Sequence, residues 1–70
     1  MNNNLMLLHE ETMSTLNTAR RLPDLANLFS NQAFGACMMF IKLFPDMEVI
    51  VSEYWNGCLH DAFRRIEEGW

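Results

Sequence analysis

Residues 33–44 read Ala33-Phe34-Gly35-Ala36-Cys37-Met38-Met39-Phe40-Ile41-Lys42-Leu43-Phe44, and Lys42 is the only charge among them. The stretch predicts an α-helix. Extended back to Leu25 and stepped at about 100° per residue, it gathers Leu25, Leu28, Phe29, Ala33, Ala36, Met39, Phe40 and Leu43 on one broad arc. Asp24, Asn27, Asn31 and Lys42 fall opposite, and Phe34, Met38 and Ile41 land on that otherwise polar side. The first half is thus amphipathic and the second half apolar all round, the pattern of a helix central in a core or in a membrane. A membrane span needs about 20 apolar residues. Here Asn27, Ser30, Asn31 and Gln32 break the run upstream, so no membrane is expected as a partner.

Outward from this segment, the chain punctuates itself twice with the same chemistry. Leu22-Pro23-Asp24-Leu25 and Phe44-Pro45-Asp46-Met47 both read apolar, Pro, Asp, apolar. Proline pushes its predecessor out of the helical region, and the aspartate is placed to accept hydrogen bonds from the amides that open the next helix. The central helix therefore spans about 24–44, with neighbours at about 5–21 and 46–68. Residues 1–4 read as a frayed start.

In the first helix Leu5, Leu8, Thr12, Leu16 and Ala19 share a face, with Met6 and Met13 widening it. Glu10-Glu11 toward its start and Arg20-Arg21 near its end suit the helix dipole. In the last helix Met47, Ile50, Val51, Tyr54, Cys58, Ala62 and Ile66 form a stripe that Trp55, Leu59 and Phe63 broaden. Glu53, Asn56, His60, Arg64 and Glu67 line its other side, and Asp61 and Arg65 make a supportive i,i+4 pair. Val49, Ile50, Val51, Tyr54 and Trp55 also suit a strand, with Asn56-Gly57 as a hairpin turn. No second strand-like run exists to pair with it, so helix is the reading adopted. A break at Asn56-Gly57 would make four helices of three. Gly69 is placed as the C-terminal cap, with Trp70 beyond it.

The expected fold is all-α: one domain over residues 1–70, a small bundle of three helices or four. Seventy residues with net charge −4 and half of them apolar, including five Phe, six Met and two Trp, hold more large apolar side chain than a small monomer hides easily. Association resolves the mismatch, so homodimerisation through the central helix is expected. Phe34, Met38 and Ile41, recurring at i, i+4, i+7, are its candidate contacts, with Trp55 and Phe63 on the broad edge of the last helix and Trp70 beside them.

No pattern of catalytic chemistry stands out. Cys58-x-His60 is the one close pair of metal-binding types, and on a helix those side chains diverge by about 160°. His9 borders an apolar face and reads as a half-buried structural histidine. Cys37 and Cys58 lie on apolar faces, where thiols are buried and inert. Neither a glycine-rich phosphate loop nor a nucleophile elbow is present. No enzyme, metal or cofactor is expected. The acidic balance disfavours a general nucleic-acid binder. The start lacks the basic region and apolar core of a secretory signal, so the cytoplasm is the expected location.

The function expected is a non-enzymatic protein–protein interaction module, a regulator or inhibitor of a partner protein, of the compact kind that phages and plasmids encode. The alternative is a small nucleic-acid-associated transcriptional regulator using Arg20, Arg21, Arg64 and Arg65.

Overall fold

The computed structural model describes residues 3–69. Helix α1 spans Asn3–Arg21 and α2 spans Ala26–Leu43. Then α3 (Glu48–Tyr54), a π turn (Trp55–Leu59) and α4 (His60–Glu67) follow one another without interruption as a third rod. The described residues contain no strand, so the strand reading of the segment after Pro45 gives way to helix. The fold is a small all-α bundle, 35 × 18 × 17 Å.

Asn3 and Asn4 already belong to α1, which corrects the frayed start. Met1, Asn2 and Trp70 lie outside the described residues. The early start also moves Glu10 and Glu11 two turns into the helix, too far to meet its dipole, while Arg20 and Arg21 do occupy the last turn. At the other end Gly69 adopts φ 81°, the left-handed cap conformation read from the sequence.

Both proline connections fold alike. Leu22 (φ −128°, ψ 66°) and Phe44 (φ −132°, ψ 73°) are extended, and each is followed by a single 3-10 turn, Pro23–Leu25 and Pro45–Met47. The turns close by backbone bonds, Leu25 N–H to Leu22 O and Met47 N–H to Phe44 O, each 2.9 Å. Neither Asp24 nor Asp46 caps the helix that follows, contrary to expectation. The 3-10 turn places each aspartate ahead of the true helix start, and backbone carbonyls accept the amides instead.

Small residues set the helix spacing. Ala19 of α1 and Ala26 and Ala33 of α2 are fully buried, which lets the backbones approach. Leu8, Leu16, Cys37, Phe40, Val51, Leu59 and Phe63 fill the space between. The first rod buries the face expected of it. The second is rotated by roughly a quarter turn: its buried line runs Ala26, Ala33, Cys37, Phe40, and Leu25, Leu28, Met39 and Leu43 are left exposed. Their heavy side chains pointed to the core; the alanines that let α1 come close decided otherwise.

The π turn reorders the third rod. The amide of His60 donates to the carbonyl of Trp55, five residues back, so one extra residue enters the turn. Every position after it rotates back by about 100°. In an uninterrupted α-helix Cys58 would lie within about 20° of Val51, and Leu59 about 80° away. With the insertion Leu59 and Phe63 line up under Val51 and are buried, and Cys58 is turned out to solvent. The expected burial of Cys58 is thereby corrected. Asn56-Gly57, read as a possible break, is instead the middle of this wider turn.

Candidate interaction surface

Five of the residues expected to carry partner contacts are among the described residues, and the structure divides them; Trp70 lies outside. Phe34 and Met38 are exposed, at 45% and 42%. Ile41 is half-buried and packs on the core, because α2 has turned toward it. Phe63 is sealed at 1% exposure by the π-turn register, so it is a core residue and no contact for a partner. Trp55 is half-buried and forms the hub of an aromatic cluster. Its ring centroid lies 5.2 Å from Phe34, 5.9 Å from His60 and 6.3 Å from Phe63. Phe34 therefore packs at a 59° tilt against Trp55 while staying partly open to solvent, with Met38 one turn along.

A second apolar edge runs along α2 through Leu25, Leu28, Met39 and Leu43, the last 66% exposed. Gly35 lies between the two edges, and a Cβ built on it meets nothing within 4 Å. No neighbouring element therefore packs closely enough on Gly35 to require a glycine there.

A third feature escaped the sequence reading. Between the first turns of α1 and the side of α3 lies an apolar cleft of about 450 Å³, walled by Leu5, Met6, Leu8 and Ile50, with His9, Glu10 and Tyr54 completing it. Its polar support is a short network. The Tyr54 hydroxyl is hydrogen-bonded to Thr12 Oγ1 and to His9 Nδ1, both at 2.9 Å. Thr12, fully buried, also donates to the carbonyl of Leu8 or His9, at 2.9 and 3.0 Å. The signal was a hydroxyl in the middle of an apolar stripe, since a buried hydroxyl needs partners. Two of those partners, the carbonyls of Leu8 and His9, are local in sequence, and the third, Tyr54, lies 42 residues away. Burial raises the Tyr54 pKa, with the Thr12 bond opposing it. His9, expected half-buried, is exposed at the cleft's rim.

The arginines fall as follows. Arg20 and Arg65 line one surface cleft with Pro23 and Asp61. Arg64 and Arg65 both reach the Asp61 carboxylate, at 2.8 and 2.9 Å, which bears out the Asp61–Arg65 pair. The Arg64 hydrogen bond leads the effects that hold the Asp61 pKa below its ordinary value. Arg20 donates to Asn17 Oδ1 at 2.9 Å, and Arg21 reaches Thr18 Oγ1 at 3.5 Å. An acidic group thus sits within the basic cluster.

Among the described residues, no group of three His, Cys, Asp or Glu could hold a metal ion. No helix among them is long and apolar enough to cross a membrane. Cys37 and Cys58 are both free thiols, and burial raises the pKa of Cys37. No family model matches the chain, and neither a curated protein nor a solved structure matches it.

Proposed function

We propose that this chain is a non-enzymatic protein-binding module, a regulator or inhibitor that acts by docking on a partner protein. One observation carries the reading: eleven large apolar side chains stand exposed among the described residues, against ten apolar residues buried. Met6 and Ile50 of these line one cleft together, and contiguous apolar surface marks interaction sites. The α1/α3 cleft is the partner's seat, because it is concave, apolar and large enough to take one or two side chains of an apolar helix. Tyr54 and His9 supply hydrogen bonds at its edge, and Met6 supplies an adaptable wall.

The test is recovery of the tagged chain from its native host, followed by assay of any stoichiometric partner. The expected result is a partner whose activity changes on binding, and whose binding is lost with Ile50→Glu while the helical spectrum is kept. A partner bound equally well by Ile50→Glu, or one whose activity does not respond, refutes the reading.

A nucleic-acid-associated regulator is the second reading, favoured by Arg20 and Arg65 lining one cleft. Asp61 in the same cleft opposes it. Salt-dependent binding to a duplex at low ionic strength supports it, and absence of such binding removes it.

A further inference from the structure

We infer that a second copy of this chain docks antiparallel on the outer face of α2, across a two-fold axis near residues 33 and 34. The seam is Leu25, Leu28, Gln32, Gly35, Met39 and Lys42. These residues are spaced alternately three and four apart, the spacing that lets two helices mesh along their length. Its two middle positions are unequal, Gln32 long and Gly35 without a side chain, and no element of the chain's own fold covers the seam: Leu28 is 51% exposed and Met39 57%.

The middle of this surface, one long side chain beside a residue with none, complements itself only when reversed. In the antiparallel arrangement Leu28 meets Met39 of the second copy, and Gln32 meets Gly35, where open space already waits. A parallel arrangement sets Gly35 against Gly35 and leaves a gap at the crossing. The charges agree. Asp24 stands in the turn that opens α2 and Lys42 in its last turn, and neither makes an ion pair among the described residues. Reversed pairing sets Asp24 of each copy beside Lys42 of the other, twice by symmetry. Parallel pairing sets like beside like. The expected contact thus moves from Phe34, Met38 and Ile41 to the neighbouring edge of the same helix. The inference is independent of the α1/α3 cleft, which lies on other elements, so either fails without the other.

The experiment uses sedimentation equilibrium on the full chain and on Asp24→Lys, Lys42→Asp and Gly35→Leu. Each charge variant alone sets like charges together at both ends, and weakens self-association about tenfold or more. Mixing the two charge variants restores it, because a mixed pair then has opposite charges at both ends. Gly35→Leu removes self-association while its melting temperature, measured at the dilution where all forms are monomeric, does not fall. A full chain that stays monomeric, or a mixture that associates no better than its components, overturns the inference.

Discussion

Replacing Leu59 and Cys58 in turn by alanine tests the register of the third rod. Leu59 is fully buried beneath Val51, and Cys58 is exposed, although the two are adjacent on the π turn. Truncating a buried leucine loses the transfer free energy of its methyl groups and leaves a cavity, together about 2–5 kcal/mol. An exposed position away from special features changes stability by about 0.5 kcal/mol or less. In a chain of this size 1 kcal/mol moves the melting temperature by about 4–8 °C, so Leu59→Ala lowers it by at least about 8 °C and Cys58→Ala leaves it within about 4 °C. Thermal unfolding followed at 222 nm reads both. An uninterrupted α-helix reverses the ranking, because it sets Cys58 near Val51 and swings Leu59 off the face. Equal costs, or a larger cost at Cys58, refute the π-turn account.

Cys58 reacts with a thiol reagent in the native state and Cys37 only on unfolding, which mass spectrometry after brief labelling resolves. Tyr54→Phe and Thr12→Val each cost about 1 kcal/mol in urea titrations. The double variant costs less than the sum, because both remove the same hydrogen bond. Cys37 and Tyr54 have raised pKa values in the folded chain, so their contribution is complete below the unfolded values and is lost as pH rises through the folded ones. Stability therefore declines above about pH 9, and less steeply in Cys37→Ala. Asp61 has the opposite sign. Its lowered pKa contributes stability above the unfolded value that is lost as pH falls through the folded one, so Asp61→Asn flattens the acid limb below about pH 4.

The helices and their boundaries were legible because Pro23 and Pro45 act locally, on the residue before them and on their own amide. The buried face of α1 was legible for a related reason: one apolar stripe on a polar helix leaves a single choice. On α2 that signal fails. With Phe34, Met38, Met39, Ile41 and Leu43 spread around the axis, bulk cannot rank the faces, and the contact goes to the side where Ala26 and Ala33 permit the closest approach to α1. The third rod misled for a different reason. Stepping at a constant angle assumes a constant turn, and the inserted residue at Trp55–Leu59 exchanges the places of Cys58 and Leu59. Of the interface residues, Phe34 and Met38 stay exposed because they stand off the buried line of α2, Ala26, Ala33, Cys37 and Phe40. Phe63 is buried because it follows the inserted residue in the third rod. The cleft at Tyr54 depends on contacts 42 and 45 residues apart in the chain, which no local pattern encodes.

The mass of the unmodified chain in solution bears most directly on the claim that its own rods leave the outer face of α2 for a second copy. Sedimentation equilibrium at high micromolar concentration is the measurement. A dimer, twice the chain mass of 8.2 kDa, is the result expected, dissociating on dilution. A single species at 8.2 kDa at every concentration contradicts it.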